Sequence, residues 1–489
     1  MARTRFTTNL LAGVVLAACF SACSETAPEP AETTPEATAP VVAPARKPID
    51  PDKRLQGAVL VLFDTLRADH VSSYGYERPT SPALDALAAR GVRFDQAISS
   101  APWTMPAVSG LLAGDYPERA FQGRLKKSLV KRLSADGVRT GAVTEGGYVS
   151  KAFGMDLGFD KFHEETGPVQ IVRKGESGKL NTSGIEKTFE LAREWLTEHQ
   201  DERFFLLVHT YEPHTPYTRL DFTEGLDAGQ VGEVFATDGI VPRLNAGETV
   251  LTASETEYVT AMYDSGVLAA DRHLAELLAH MDELGLSDST LVVVAGDHGE
   301  ELGSHYPSRT GGHGHALLDS MLRVPLVVHD PTRDFELDVV PTQVRLIDVV
   351  PTIADLLEVA PDRRIEGHSL VPLMQGTDDT PRMALAAQTR VGTKRLAVRH
   401  RGYKYISTVG PEREGKTMLR NPPERQLYAL ATDPGERRNV VDEFPEIAQA
   451  FETVLQRQHL ALSAPTMTES EEDLDPEVLE RLKSLGYVE

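Results

Sequence analysis

Three continuous apolar runs stand out along the chain, at residues 57–63, 204–208 and 291–294. Each run is short and is followed by polar or turn-forming residues. Runs of this kind are typical of strands in a parallel sheet whose two faces are both covered by other elements. The pattern therefore predicts buried strands that are separated by long stretches of other structure.

The segments between these runs have the periodicity of amphipathic helices. In the clearest example, Gly285 follows as a stop signal after apolar residues that recur at helical spacing, namely Leu274, Leu277, Leu278 and Met281. Strands that alternate with helices predict an α/β domain built in layers.

The pattern changes from about residue 385 to shorter β-like segments at 395–398 and 403–406, which predict a smaller sheet-bearing subdomain. An acidic stretch at 466–475 precedes a short helix capped by Asp475, with Pro476 in its first turn and Gly486 at its end. The predicted division is a main domain at 55–385, a subdomain at 386–445 and a helical, acidic tail at 446–489.

The first 23 residues have the pattern of a secretion signal, with basic residues followed by an apolar core too short to span a bilayer. Leu16-Ala17-Ala18-Cys19 resembles the lipobox of bacterial lipoproteins, in which the cysteine is lipidated, and Cys23 follows a poorer match. Residues 24–54, rich in Pro, Ala, Glu and Thr, predict an extended tether. We therefore expect a protein outside the cytoplasm, anchored by lipid to a bacterial membrane in the periplasm or at the cell surface. The alternative is an ordinary secretory leader.

Composition narrows the possible functions further. The 489 residues include 73 Asp and Glu against 50 Lys and Arg, a formal net charge of −23. A nucleic-acid partner is not expected, because a phosphate backbone requires a basic face. Both cysteines lie within the first 23 residues, which excludes a disulfide framework, Cys-ligated metals and a cysteine nucleophile from the rest of the chain.

Two acidic residues follow apolar runs, one immediately and one shortly after the run ends. Asp64 comes after the first run, and Asp297-His298-Gly299 comes just after the third. Ligands of open α/β sheets gather at the carboxyl ends of the strands, so these side chains are expected to converge. Two carboxylates and an imidazole can bind a divalent cation. The alternative is that each aspartate is only a turn or cap residue.

Thr104 precedes Pro106 and a series of small and apolar residues that predict the start of a helix. Thr104 is then placed at or just before a helix N-terminus, where the dipole favours negative charge. Its hydroxyl is either a plain N-cap or a nucleophile activated by a nearby metal ion.

Histidines cluster in the same part of the chain as Asp297, since His298, His305, His313 and His315 fall within 18 residues. His214 follows the second apolar run. Histidines placed in this way can bind an anion or protonate a leaving group. We expect this role for His214 and His313, and we interpret His305 and His315 as polar loop residues.

An ordered series of motifs from about residue 57 to 440 resembles the sulfatase family, within the alkaline phosphatase superfamily. The segments are 63–70 (FDTLRADH), 102–106 (PWTMP), 212–217 (EPHTPY), 296–300 (GDHGE), 312–314 (GHG), 323–326 (RVPL) and 426–428 (QLY). Each motif is weak alone, and their order makes the series specific.

The resemblance implies an α/β/α sandwich, with a large mostly parallel sheet and a small C-terminal sheet-containing subdomain. It implies an ester hydrolase with one divalent metal ion (Ca²⁺, Mn²⁺ or Zn²⁺), whose binding residues are Asp64, Thr104, Asp297 and His298. Thr104 is then the nucleophile, and His214 and His313 match positions that contact the transferred anion or the leaving group.

Two departures from the family pattern bear on the chemistry. Sulfatases proper have Cys or Ser in a C/S-x-P-S-R signature that is converted to formylglycine, whereas Thr104 cannot be converted and Val108 replaces the arginine. Thr65 also stands where a second metal-binding carboxylate is expected. Sulfated formylglycine can release sulfate by collapsing to the aldehyde, but a modified threonine must be cleaved by water. Phosphate and phosphonate esters are therefore favoured over sulfate esters.

Two other functions remain open at this point. The lost arginine and carboxylate are compatible with a catalytically impaired, sulfatase-like binding protein. A phosphoryl transferase that acts on a glycan or lipid is the other alternative, although such relatives usually carry several transmembrane helices. The expected partners are a small-molecule, glycan or lipid ester substrate and a membrane, reached through the N-terminal lipid.

Overall fold

The computed structural model describes residues 54–165, 184–235, 240–245, 247–306, 310–360, 362, 364–387, 389–390, 394–408, 425–461, 476 and 480. Its strands are β1 (Gly57–Phe63), β2 (Val92–Phe94), β3 (Ala97–Ile98), β4 (Phe121–Gln122), β5 (Arg124–Leu125), β6 (Arg139–Thr144), β7 (Lys161–Glu164), β8 (Phe204–Thr210), β9 (Thr290–Gly296), β10 (Arg323–Val324), β11 (Leu326–His329), β12 (Val339–Val340), β13 (Val344–Arg345), β14 (Ala384–Ala386), β15 (Arg395–His400), β16 (Tyr403–Thr408) and β17 (Arg425–Ala429).

The helices lie mostly between the strands of the main sheet. They are α1 (Pro82–Ala88), α2 (Thr104–Ala113), α3 (Pro117–Ala120), α4 (Val130–Ala135), α5 (Ile185–His199), α6 (Ile240–Asn245), α7 (Ala253–Glu283), α8 (Asp319–Leu322), α9 (Val349–Leu356), α10 (Val371–Met374) and α11 (Pro445–Ala461). Short 3₁₀ turns occur at Ala68–His70, Ser72–Tyr74, Lys151–Phe153 and Leu346–Asp348.

Eight of these strands form one sheet, in the order β12-β2-β11-β9-β1-β8-β6-β7. β1 pairs in parallel with both of its neighbours, so that Phe63 lies beside Thr210 of β8 and beside Gly296 of β9. β11 is antiparallel to both of its neighbours. The predictions of a large, mostly parallel sheet and of strands in the three apolar runs are confirmed.

Helices cover both faces of the sheet. Successive residues of a strand point to opposite faces, so each central strand contributes side chains to two separate apolar clusters. Leu60 and Leu62 of β1 belong to the apolar cluster that includes residues of α2, α4 and α9. Val59 and Val61 belong to the opposite cluster, which includes residues of α1, α5 and α7. The prediction of an α/β/α sandwich is therefore confirmed.

A smaller antiparallel sheet has the order β14-β15-β16-β17, and α11 contributes to the apolar cluster on one of its faces. A buried group of charges attaches this sheet to the main body. Lys404 Nζ, on β16, lies 2.6 Å from Asp319 Oδ1 and 2.7 Å from Glu436 Oε1. Arg399 Nη2, on β15, lies 3.0 Å from Asp319 Oδ2. The small sheet of the predicted fold is therefore present.

Several predictions fall on residues outside the described ranges. The leader, Cys19, Cys23 and the tether belong to this group, as do the acidic stretch at 466–475 and most of the short helix after it. They stay predictions, and so does the division into domains. Across the described ranges, the helices are too short or too polar to span a bilayer.

Candidate active site

Asp64 and Asp297 occupy matching positions on neighbouring strands. Because Phe63 pairs with Gly296 in parallel register, each aspartate is the first residue after its strand. Backbone hydrogen bonds continue past both strand ends, from Asp64 N–H to Thr210 O (3.0 Å) and from Asp297 N–H to Phe63 O (3.2 Å). Both side chains are fully buried. Register and strand length therefore bring the two carboxylates to one point at the edge of the sheet.

The ring of His298 completes this corner of the site. Its Nδ1 lies 2.8 Å from Gly299 O, and since a carbonyl oxygen only accepts, Nδ1 donates this hydrogen bond. Nε2 then directs its lone pair toward the two aspartates, 3.2 Å from Asp64 Oδ1 and 3.7 Å from Asp297 Oδ2. A backbone contact of this kind is the usual way in which a metal-binding histidine is oriented.

Thr104 is the first residue of α2, and the extended residue before it, Trp103, is the N-cap. Thr104 Oγ1 donates a hydrogen bond to Asp64 Oδ2 at 3.0 Å and lies 3.3 Å from His298 Nε2. The side chain is fully buried. The structure thus brings together all four residues that the sequence suggested as a metal site.

The electrostatics of the aspartate pair suit a cation. Burial raises the pKa of Asp64 well above its ordinary value, while the Thr104 hydrogen bond opposes this shift. Burial, followed by the charge of Asp64, raises the pKa of Asp297 to about 8. Asp64 Oδ1 and Asp297 Oδ2 have no hydrogen-bond partner within the described part of the chain. Two buried, unpaired carboxylate oxygens are suitable ligands for a divalent ion.

His209, on β8, lies in the same cluster and is not among the site residues predicted from the sequence. One of its ring nitrogens lies within 4.8 Å of a carboxylate oxygen of Asp64 and of Asp297. In the parallel register His209 stands beside Leu62, so its side chain shares a face with that of Asp64 two residues later. A polar residue within an otherwise apolar strand was the available signal.

His214 and His313 lie next to this cluster. The ring of His313 is 4.6 Å from that of His298 and 5.0 Å from that of His214, centre to centre. Burial, followed by the proximity of His313, lowers the pKa of His214 to about 3, and burial also lowers the pKa of His313 well below its ordinary value. Both rings are therefore neutral at pH 7.

Hydrogen bonds orient these two rings. The ring nitrogen Nδ1 of His214 donates to Thr215 O. Nδ1 of His313 lies 3.2 Å from Oε1 of the buried Glu300, which follows closely on His298 along the chain. These contacts leave Nε2 as the atom of each ring that is directed away from its backbone or carboxylate partner.

Thr65, which replaces the expected second carboxylate, has a left-handed backbone with φ of +57°. This region is unfavourable for a β-branched residue. Two contacts hold the conformation: Thr65 N–H donates to Asp297 Oδ1 at 3.2 Å, and Tyr263 Oη–H donates to Thr65 O at 2.7 Å. The strained turn therefore forms part of the same network as the two aspartates.

Other residues of interest lie farther from the aspartates. His305 Nε2 lies 2.6 Å from Gly435 O, and the ring of His315 packs edge-on against Tyr306. Arg390 is not among the residues predicted from the sequence, and its guanidinium lies 5.8 Å from the ring centre of Trp103. The charge of Arg390 contributes to the lowered pKa of His313, so a positive charge is present beside the cluster.

Comparisons with known proteins identify the family of this chain. A family model described as Sulfatase matches residues 56–359. The N-acetylgalactosamine-6-O-sulfatase of Bacteroides thetaiotaomicron is 22% identical, over 81% of this chain and 92% of that protein. Arylsulfatase A of Bos taurus is 24% identical, over 81% of this chain and 86% of that protein.

Among solved structures, the phosphonate monoester hydrolase of Agrobacterium radiobacter has a similar fold. Its TM-score is 0.65 with 18% identity, and the match covers 84% of this chain and 96% of that chain. The family match includes every candidate site residue from Asp64 to His313. The chain therefore belongs to the sulfatase family of the alkaline phosphatase superfamily, and it is a sulfatase-like ester hydrolase.

Proposed function

We propose that the chain is a metal-dependent hydrolase of phosphate or phosphonate esters in which Thr104 is the nucleophile. The position of Thr104 Oγ1, 3.0 Å from Asp64 Oδ2 and 3.3 Å from His298 Nε2, carries the proposal. The start of α2 adds a dipole that favours an anion. Threonine cannot become formylglycine, and this favours phosphoryl over sulfuryl transfer.

The residues that would hold the cation are Asp64, Thr104, Asp297 and His298. Their fit is supported by the buried, unpaired oxygens of the two aspartates and by the lone pair of His298 Nε2. When bound, a divalent cation lowers the pKa of a neighbouring hydroxyl and offsets the negative charge of the ester.

The protein side chains have separate tasks in the proposed reaction. Asp64 orients the Thr104 hydroxyl through their hydrogen bond and is placed to accept its proton. As the bond from Thr104 Oγ1 to phosphorus forms in line, the bond from phosphorus to the alcohol oxygen breaks.

Protonated Glu300, whose pKa burial raises to about 7, donates to Nδ1 of His313, so the hydrogen of this neutral ring lies on Nε2. Nε2 of His313 gives this proton to the departing oxygen, which leaves as the alcohol, and Nδ1 takes up the proton of Glu300. His214, whose own ring hydrogen lies on Nδ1, packs beside His313 and holds it in place. As the bond from a water oxygen to phosphorus then forms in line, the bond from phosphorus to Thr104 Oγ1 breaks. Oγ1 takes back the proton held by Asp64, and the proton released by water returns to the pair of His313 and Glu300.

A substrate panel tests this proposal on the purified full-length protein. It includes the p-nitrophenyl esters of phosphate, phosphonate and sulfate and bis(p-nitrophenyl) phosphate, each with Mn²⁺, Zn²⁺ or Ca²⁺. We expect phosphate or phosphonate turnover to exceed sulfate turnover. Thr104→Ala should lose about 10³-fold or more in kcat, as other enzymes do when they lose their nucleophile. Thr453→Ala, at a half-buried threonine on α11, is the matched control.

Three outcomes of the panel would contradict parts of the proposal. Absence of turnover on every ester would favour an impaired, sulfatase-like binding protein. Full activity in Thr104→Ala would refute the assignment of the nucleophile. Sulfate turnover above phosphate turnover would refute the preference for phosphoryl chemistry.

We propose further that Cys19 carries a lipid and that the enzyme acts outside the cytoplasm on small-molecule, glycan or lipid esters. The support is the lipobox-like segment at residues 16–19 and the tether that follows it. Labelling cells with a radioactive fatty acid tests the anchor. The label should be lost in Cys19→Ser and kept in Cys23→Ser, and the reverse result would assign the lipid to Cys23.

A further inference from the structure

We infer that His209 is an additional metal-binding residue and that it makes this site prefer Zn²⁺ over Ca²⁺. The inference deepens the proposed function, on whose metal site it rests. His209 was absent from the residues that the sequence suggested, and it reaches the cluster from the strand beside Asp64.

The surroundings of His209 are unusual for a buried imidazole. Its side chain is fully buried, and neither Nδ1 nor Nε2 has a hydrogen-bond partner among the residues that the structure describes. Leaving buried polar atoms unpaired is costly and rare in native proteins. One of these nitrogens lies within 4.8 Å of oxygens of Asp64 and Asp297, each of which has its own unpaired oxygen. A cation shared by the three groups would satisfy one ring nitrogen of His209 and the unpaired carboxylate oxygens of the two aspartates.

The position of His209 also accounts for the missing carboxylate. Thr65 follows Asp64 in the chain but supplies no anionic oxygen, and its left-handed backbone is occupied with contacts to Asp297 and Tyr263. His209 instead supplies a nitrogen from β8, on the sheet face to which Asp64 points. The candidate ligands then become two carboxylates, two imidazoles and one hydroxyl.

This set of ligands determines the expected metal. Ca²⁺ takes six to eight oxygen ligands, whereas imidazole nitrogen suits Zn²⁺ and other transition metals. Exchanging a carboxylate for an imidazole also lowers the negative charge of the site by one, which weakens the attraction for Ca²⁺ without removing a donor for Zn²⁺. The competing interpretation is a packing role, since the ring of His209 stands edge-on to Tyr211 at 5.3 Å.

Metal titrations on the full-length protein, freed of metal by a chelator, distinguish these interpretations. Isothermal titration calorimetry gives the affinities for Zn²⁺ and Ca²⁺, and visible absorption of the Co²⁺ form reports the nitrogen ligands. The variants are His209→Ala, His209→Asp and, as matched control, His199→Ala, which removes a buried histidine stacked on Trp195 of α5.

We expect His209→Ala to weaken Zn²⁺ binding by about 10- to 100-fold or more and to change the Co²⁺ spectrum. Its Ca²⁺ affinity should change much less. His209→Asp should shift the preference toward Ca²⁺, and it decides the question if His209→Ala does not fold. The control should bind both metals as the wild type does.

Wild-type Zn²⁺ affinity and an unchanged Co²⁺ spectrum in a folded His209 variant would overturn the inference. The outcome is separate from that of the proposed function. A protein that binds Zn²⁺ through His209 but hydrolyses no ester would support the inference and refute the proposed activity. Ester hydrolysis together with Zn²⁺ binding that does not depend on His209 would support the proposed activity and refute the inference about His209.

Discussion

Replacing Asp297 by asparagine should make the metal-free protein more stable while abolishing its stabilisation by a cation. Asp297 Oδ1 accepts hydrogen bonds from His298 N–H (2.6 Å) and Thr65 N–H (3.2 Å). The amide oxygen of asparagine can accept both bonds in the same geometry. The substitution therefore removes a buried ionisable group and largely preserves the local structure.

The size of the effect follows from the pKa of Asp297, which burial and the charge of Asp64 raise to about 8. The unfolded chain releases this proton near pH 3.9, so between about pH 4 and 8 the folded state holds a proton that the unfolded state has lost. Stability therefore falls as the pH rises through this window. At about 1.4 kcal/mol per pKa unit, the loss at pH 7 is at most about 4 kcal/mol, and asparagine avoids it.

A bound cation should make the wild type more stable than Asp297→Asn, which reverses the order expected without metal. The wild type gains about 2.7 kcal/mol when a bound metal is present at 100 times its Kd, whereas the variant, lacking one carboxylate ligand, gains little. Urea unfolding of both proteins at pH 5 and 7, with chelator and with Zn²⁺, measures the stability difference between them and the gain that each obtains from the metal. With chelator, the advantage of Asp297→Asn should be larger at pH 7 than at pH 5. A variant that is less stable with chelator, or that keeps the full gain from Zn²⁺, would refute this reasoning.

Two further predictions concern stability away from the site. Lys404→Met leaves the buried carboxylates of Asp319 and Glu436 without their lysine. It should therefore lower the free energy of unfolding, measured with urea at pH 7, by about 3–5 kcal/mol. The double variant Lys404→Met/Glu436→Gln should recover part of that loss, and equal stability of the single and double variants would contradict the ion-cluster explanation. Glu255 accepts backbone hydrogen bonds, led by that of Gln230, which lower its pKa to about 2. Its contribution is therefore present above about pH 4.5 and lost as the pH falls toward 2. Glu255→Gln should lower stability by about 1 kcal/mol at pH 7, and thermal unfolding should show this difference shrinking at low pH. A pH-independent difference would count against this explanation.

The sheet could be predicted because its central strands are buried on both faces. This burial forces continuous apolar runs, such as residues 57–63, and makes the first polar residue after each run conspicuous. Asp64 and Asp297 could be singled out for the same reason. Their separation in sequence does not matter, since the carboxyl ends of adjacent parallel strands always lie together.

His209 is likewise the first polar residue after an apolar run, at 204–208, but its role could not be predicted because that role depends on register. It lies inside a strand, and only the pairing of β8 with β1 places it beside Leu62, 147 positions away in the chain. Local patterns contain no information about such pairing. The same holds for the left-handed conformation of Thr65, which depends on the distant Tyr263.

The role of Thr104 could not be predicted from the local sequence for a different reason. A threonine before a helical segment is compatible with a cap, so the helix start alone did not distinguish a nucleophile from a structural residue. The family resemblance favoured the nucleophile. The structure then placed Trp103 at the cap position and the Thr104 hydroxyl against Asp64 and His298.

A phosphothreonine at position 104 is the species that distinguishes the proposed reaction from direct attack by water. Acid quenching of the full-length protein during turnover of p-nitrophenyl phosphate, followed by peptide mass spectrometry, detects it. We predict a phosphoryl group on the peptide that contains Thr104 in the wild type and none in Thr104→Ala. Ester turnover with an unmodified Thr104 peptide, or turnover that persists in Thr104→Ala, would contradict the assignment of Thr104 as the nucleophile.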